Sequence, residues 1–249
     1  MRPVRLALQI IEEIASHQPI GTSELARRLD LSKTTVHRSL MSLREAGWIE
    51  QSEESRKSWM LSIRALVVGG RSVDSRGSLR RVSIPVMEDL RRSTGETIHL
   101  LVHYRSYVVL IERLDGIKPV RVFNPFGGRA ALHRTSSGMA ILAHLTRQEQ
   151  SAYFSELRSA ERRRSATDIT ELRDELAPIV QRGFAVNLGQ NLPNVNAVGA
   201  AIFDSRSVPI AAITVSAPSE RMTSAKCVTY GPLVSDAARR ISLGMGLRT

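Results

Sequence analysis

Residues 31–49 read LSKTTVHRSLMSLREAGWI, and the fold turns on this stretch. Val36, Leu40 and Leu43 recur at helical spacing, Ser32 stands where an N-cap belongs, and Gly47 follows where a helix places its terminating glycine. At about 100° per residue, Thr34, Arg38, Met41 and Glu45 fall opposite the apolar stripe. Thr35, His37 and Ser42 lie on its flanks, with Lys33 near the edge. Toward the N-terminus, Leu25, Ala26 and Leu29 supply a short helix that Thr22 or Ser23 can cap. Before it, Leu6, Ile10, Ile11 and Ile14 form a stripe that ends ahead of Gln18-Pro19. Toward the C-terminus, Trp48-Ile49-Glu50 and Ser58-Trp59-Met60-Leu61 read as two strands around a tip carrying Arg56 and Lys57, partly offset by Glu53 and Glu54. Three helices followed at once by a basic hairpin are a winged helix-turn-helix.

That order gives the exposed residues a chemical meaning. Lys33, Thr34, Thr35, His37 and Arg38, with Ser32 at the cap, suit a major groove. Arginine pairs bidentately with guanine, threonine meets the thymine methyl, and hydroxyls reach phosphates. Arg56 and Lys57 suit phosphates or a minor groove. Bulk charge is a weaker guide. The chain carries +11 overall, but residues 1–77 hold only +3 of it and residues 78–249 hold +8. Charge permits an anionic partner; pattern places it at the N-terminus.

Several stretches in order resemble the IclR-type bacterial regulators over nearly the whole chain. They are Ser23–Leu29, Leu31–Arg38 and Leu43–Ile49 in the first part. Thr94-Gly95-Glu96-Thr97, Leu132-His133-Arg134-Thr135 with Gly138, Gly183-Phe184-Ala185-Val186 and Ile213–Pro218 follow in the second. The resemblance implies a winged helix-turn-helix, a linker helix, a GAF-like effector domain, and dimers or dimers of dimers. It also implies a pocket of small polar residues and backbone amides, with matching positions at Thr135, Ser136, Ser137, Gly138, Asn187, Thr214 and Ser216, and Asn196 as a weaker candidate. The departures are chemical. Gly138-Met139-Ala140 replaces a frequent Gly-Lys-Ala. Asn187-Leu188-Gly189-Gln190 stands where acidic residues are usual, and Pro193–Ala197 where Glu-Gly-Val-x-Cys is common. Amides and hydroxyls in place of acid and thiol favour neutral polar or anionic ligands.

The remaining pattern predicts an α+β architecture. Residues 1–62 form the DNA-binding unit, 63–77 a linker helix with Ile63, Leu66, Val67 and Val73 around Gly69-Gly70, and 78–249 the effector-binding and oligomerisation domain. Expected elements there are a helix over Leu79–Ser93, opened afresh or kinked at Pro85, then strands over Thr97–Tyr104, Tyr107–Leu114 and Arg121–Phe123. Helices follow at Ser137–His144, Gln148–Ser159 and Asp168–Arg182, strands at Val198–Phe203 and Pro209–Ser216, and a closing helix over Thr229–Leu243.

Enzyme chemistry finds no constellation. His99 and His103 share a strand face, but no carboxylate or cysteine completes a metal site. There is no G-x-S-x-G elbow around Ser136 and Ser137, and Gly127-Gly128 is no phosphate loop. Arg162-Arg163-Arg164 reads as a solvated loop, and the single cysteine, Cys227, forms no internal disulfide and is not read as reactive. No cofactor or metal is expected. With 42% hydrophobic residues, no membrane-length apolar run and no secretory signal pattern, a cytoplasmic protein is the expectation. The reading is a regulator whose partners are a double-stranded DNA operator, a small polar effector, an organic acid or compact oxygenated metabolite, and further copies of itself. The alternative is a DNA-binding protein whose C-terminal domain only oligomerises.

Overall fold

The structure is a computed structural model that describes residues 2–74, 77–161 and 169–248. The chain divides into two compact units, residues 1–77 and 78–249.

In the first unit, α1 (Arg2–His17), β1 (Ile20–Gly21), α2 (Thr22–Leu29), α3 (Lys33–Glu45), β2 (Ile49–Gln51), β3 (Ser58–Leu61) and α4 (Ile63–Asp74) succeed one another. Ile10, Ile14, Leu25, Val36, Leu40, Ile49 and Trp59 are buried together as its core. The stripe on α3 is thus satisfied by α1, α2 and the hairpin, which leaves the other side of α3 to solvent. Ser32 caps α3, its Oγ accepting from Thr35 N at 3.2 Å. Gly47, at φ +75°, supplies the left-handed residue that ends the helix. Three expectations are corrected. Neither Thr22 nor Ser23 caps α2. The cap position is Gly21, and Thr22 Oγ1 instead accepts from Trp59 Nε1 at 3.1 Å. Met41 does not sit opposite the core; its long side chain folds back onto it, half-buried. The wing sheet has three strands in the order β1-β3-β2, because Ile20 pairs with Trp59.

The second unit is built on a six-stranded antiparallel sheet, order β6-β5-β4-β9-β8-β7. Its elements are α5 (Gly77–Thr94), β4 (Thr97–Tyr104), β5 (Tyr107–Leu114), β6 (Arg129–Ala131), a 3-10 turn (Leu132–Arg134), α6 (Ser136–His144), α7 (Arg147–Glu161), α8 (Ile169–Asp174), α9 (Leu176–Arg182), β7 (Ala185–Leu188), β8 (Val195–Phe203), β9 (Pro209–Pro218) and α10 (Ser224–Gly244). The strands alternate faces. Ile98, Leu100 and Val102 meet Met87 and Leu90 of α5 and Val234 and Ile241 of α10. Val108, Ala201 and Ala212 meet Ile141 and Leu142 of α6, Phe154 of α7 and Ile179 of α9. Helix α5 runs through Pro85, which lies on its exposed side.

Here too the sequence reading is amended. Residues 121–123 are not a strand; the edge strand is β6, eight residues beyond Arg121. β7 is an added strand. The helix expected over 168–182 is broken between α8 and α9, because the ring of Pro178 would collide with the carbonyl of Asp174 in a continuous helix. Asp168 itself lies outside the described residues.

Candidate functional site

The surface of the first unit is decided by which cations are already paired. Arg27 and Arg28 on α2 bond Glu24, at 2.5 and 3.0 Å. Lys33, His37 and Arg38 on α3, and Arg56 and Lys57 on the wing, are exposed and make no ion pair among the described residues. Thr34 is exposed beside them. Ser32 and Thr35 are less free, since their hydroxyls hydrogen-bond each other at 2.8 Å within the cap. The wing tip is shaped by Gln51 Nε2, which donates to Arg56 O at 2.8 Å and leaves the arginine side chain outward. Unpaired cations thus stand on the exposed face of α3 and on the wing tip, although Arg5, Arg44 and Arg64 are likewise exposed without an ion pair among the described residues. Arg162-Arg163-Arg164 lies outside the described residues.

The second unit holds a half-open cavity of about 320 Å³ beside its sheet. Its floor is the start of α6. Thr135 Oγ1 accepts from Gly138 N at 2.9 Å and from Ser137 Oγ at 3.2 Å, so it closes the helix end. The first-turn amides of Ser136 and Ser137 have no intrahelical acceptor, and they carry the positive end of the helix dipole. Two glycines permit this arrangement. A Cβ on Gly138 would stand 2.2 Å from Leu132 O, and one on Gly199 of β8 would stand 2.8 Å from Ser137 N. The helix end is thus pressed against the sheet and the preceding turn.

Of the sequence candidates, Thr135, Ser136, Ser137, Asn187, Thr214 and Ser216 line this cavity. Thr214 Oγ1 is buried with no hydrogen-bond partner among the described residues. Asn187 is held by its Nδ2, which donates to Arg134 O at 2.8 Å, so its carbonyl oxygen is what remains for a ligand. Two candidates stand elsewhere. Gly138 packs beneath the floor without lining it, and Asn196 turns away to donate from Nδ2 to Met222 O at 2.8 Å, a fold-holding bond.

The cavity also recruits Arg129, which the sequence did not single out, and His99, which the sequence offered only as half of an incomplete metal pair. Arg129 of β6, exposed and without an ion pair among the described residues, stands at the wall, while no aspartate or glutamate lines it. Leu101, Leu110, Val122, Leu192 and Val195 make the rest apolar. His99 of β4 is 3% exposed, and burial first, then the Arg113 charge, depress its pKa to about 4. A histidine inside the apolar run Ile98–Val102 was the available signal, since a buried imidazole requires partners. His103 is apart from it, at the strand end, with Nε2 2.7 Å from Arg105 O. Among the described residues no group of three or more His, Cys, Asp or Glu is placed to hold a metal ion. Cys227 is fully buried, and burial pushes its thiol up to about 11.

The loop from Asp115 to Gly128 is tied down at both ends. Glu96, 3% exposed, accepts from Lys118 Nζ at 2.6 Å and from Arg221 at 2.9 and 3.1 Å, and Arg221 also donates to Val120 O at 2.7 Å. Arg113 bonds Asn124 O, pairs with Asp115 at 2.7 Å and lies 4.1 Å from the Phe123 ring. Asn124 and Val122 are thereby held against the cavity.

Such a scaffold, a winged helix-turn-helix carried with an α+β domain that holds a small cavity, is the architecture of a ligand-responsive DNA-binding regulator. Residues 4–53 match the IclR helix-turn-helix domain, and residues 71–243 match the family described as bacterial transcriptional regulator IclR C-terminal. The full chain is 31% identical to the HTH-type transcriptional regulator BhcR of Paracoccus denitrificans, covering 88% of it. Over 96% of its length it is 28% identical to the transcriptional repressor IclR of Escherichia coli, covering 88% of that protein. The fold also matches an IclR homolog from Microbacterium hydrocarbonoxydans solved with 4-hydroxybenzoate, with a TM-score of 0.77, 22% identity and 98% of each chain covered. The chain belongs to the IclR family of DNA-binding transcriptional regulators, which carry a C-terminal effector-binding domain. Its relatives are regulators and not enzymes. Among the described residues no helix is long and apolar enough to cross a membrane.

Proposed function

We propose that this regulator binds a two-fold operator as a dimer or dimer of dimers, and that a small carboxylate-bearing metabolite in the cavity changes that binding. The supporting observation is the donor-rich, carboxylate-free lining of the cavity: helix-end amides at Ser136 and Ser137, the unpartnered Thr214 hydroxyl and Arg129. A carboxylate satisfies such a set, because helix N-termini and arginines both favour negative charge. The volume near 320 Å³ restricts the ligand to a compact molecule. The M. hydrocarbonoxydans homolog, solved with an aromatic hydroxy acid, is consistent with that class.

DNA contact is assigned to residues 1–62. Arg38 reads a base edge, Lys33, Thr34 and His37 assist, Ser32 and Thr35 set the helix end at the backbone, and Arg56 and Lys57 hold phosphate. Residues 63–77 link this unit to the effector domain, 78–249. Ile63, Leu66 and Val67 on α4 are 69%, 68% and 51% exposed along one stripe, a surface suited to a second copy. Dimerisation doubles the contacts that one helix-turn-helix makes with DNA. A regulator of this kind works in the cytoplasm, beside bacterial DNA.

The test is thermal stabilisation of the full-length protein by a panel of small carboxylic acids, followed by operator titration with each hit. Stabilisation accompanied by a changed operator affinity supports the proposal. If no carboxylate stabilises the protein, the carboxylate assignment is wrong, and if no neutral polar metabolite does so either, the C-terminal domain serves oligomerisation alone.

A further inference from the structure

Asn124, His99 and Ser216 form a hydrogen-bond chain with a direction. Asn124 Nδ2 lies 3.3 Å from His99 Nε2, and His99 Nδ1 lies 3.3 Å from Ser216 Oγ. An amide nitrogen donates and does not accept, so Nε2 is the accepting ring nitrogen. A neutral imidazole then carries its proton on Nδ1 and donates it to Ser216 Oγ. Burial keeps the ring neutral, since it favours the uncharged form and holds the pKa near 4. The chain starts from a fixed point, because Arg113 holds the backbone carbonyl of Asn124. Ser216, 6% exposed and lining the cavity, makes no other side-chain hydrogen bond among the described residues. With its oxygen accepting from His99, its own proton is left to turn into the cavity.

We infer that His99 is a positioning residue that fixes the Ser216 hydroxyl as a donor toward the effector, so that the cavity selects a carboxylate over the corresponding neutral amide. The inference rests on the proposed function and sharpens it. A carboxylate offers acceptor oxygens both to Ser216 and to the helix-end amides of Ser136 and Ser137, whereas a primary amide of the same shape has one carbonyl oxygen and must turn its N–H groups toward one of these donors. Reversing the ring tautomer would reverse the preference, because Ser216 would then spend its proton on Nδ1 and offer only lone pairs.

Two measurements on the full-length protein test this. The first is nitrogen-correlated NMR of histidine-labelled protein, with His99 assigned by its loss in His99→Asn. A neutral Nδ1–H tautomer is expected; an Nε2–H tautomer, or a charged ring at pH 7, would overturn the inference and leave the proposed function standing. The second compares binding of small monocarboxylates, 4-hydroxybenzoate and benzoate among them, with their primary amides by calorimetry. Wild type should prefer the acids at least about tenfold. His99→Leu should lose most of that ratio, and His99→Asn, whose amide nitrogen stands near the Nδ1 position, should restore it. Equal binding of acids and amides by wild type, or a ratio unmoved in His99→Leu, contradicts the positioning role alone. Silence from every acid and amide overturns the proposed function and this inference with it.

Discussion

Thr214 keeps a hydroxyl inside the cavity wall without a hydrogen-bond partner among the described residues, which costs about 1–3 kcal/mol in a buried setting. A fold tolerates such a group where a ligand supplies the missing bond. Thr214→Val should therefore leave the ligand-free protein as stable as wild type, or more stable by about 1 kcal/mol, while weakening carboxylate binding. Denaturant titration with and without a bound acid separates the two effects, and a large loss of ligand-free stability would show that the hydroxyl serves the fold. His99 gives a second expectation. Its folded pKa of about 4 lies below the ordinary 6.5, so the unfolded chain binds the proton more readily between those values. Its contribution is present above pH 6.5 and is lost as pH falls toward 4, by about 3 kcal/mol in all. His99→Asn should flatten that part of the stability profile. On the DNA side, Arg38→Ala should cost about 1–3 kcal/mol at a selected operator and relax preference at one base pair. Lys57→Ala should weaken all sequences alike. Anisotropy titrations over single-base operator variants at fixed salt read both.

Among the elements, the first part of the loop from Asp115 to Gly128 is held by one buried carboxylate, Glu96. Burial works to raise the pKa of Glu96, but the hydrogen bonds from Arg221 and Lys118 outweigh it and lower the pKa below its ordinary 4.5. The stability it contributes is thus present above pH 4.5 and is lost as pH falls through the lowered value. Glu96→Gln should cost about 1–3 kcal/mol and raise hydrogen exchange in residues 116–120 first, while exchange in α10 beyond its first turns stays near wild type. The start of α6 is less forgiving. Gly138→Ala puts a methyl 2.2 Å from Leu132 O, so it should destabilise by about 1–3 kcal/mol and displace the amides of Ser136 and Ser137.

How far these elements were legible follows from their lengths. β4, which alternates, and β5, which is mostly apolar, run eight residues each, and their expected limits are the observed ones. β1 and β6 have two and three residues, too few for a period to appear, and they exist because a neighbouring strand offers an unpaired edge. The division of α8 from α9 falls just ahead of Pro178, but α5 and α10 run unbroken through Pro85 and Pro232, so a proline alone does not mark the break. In the cavity, Thr135 and Thr214 are brought together by a sheet order that no local pattern encodes, and resemblance to a family supplied them. His99 is legible as a strand histidine, but its bonds to Asn124 and Ser216 and the place of Arg129 at the cavity wall depend on the folded sheet. Asn196 is a candidate only because Pro193–Ala197 stands at a stretch the family resemblance marks, and the structure reveals its bond to Met222 O.

For the regulator as a whole, the proposed dimer rests on the exposed apolar stripe of α4. Leu66→Asp should shift the protein toward monomer in sedimentation and reduce operator affinity at least about tenfold, because half of the paired contacts are lost. Coupling between effector and operator demands more than coexistence of two sites: the ligand must prefer one arrangement of the dimer, and linkage makes the effect reciprocal. The decisive measurement is a pair of titrations on the full-length protein, a stabilising carboxylate into free and operator-bound protein, and operator into free and carboxylate-bound protein. The two affinity ratios should agree and lie between about 5- and 150-fold, and both should fall to one in Asn187→Leu with Ser216→Val. A carboxylate that binds the double variant as tightly as wild type, or that leaves operator affinity unmoved at saturation, would contradict a ligand-controlled switch built on this cavity.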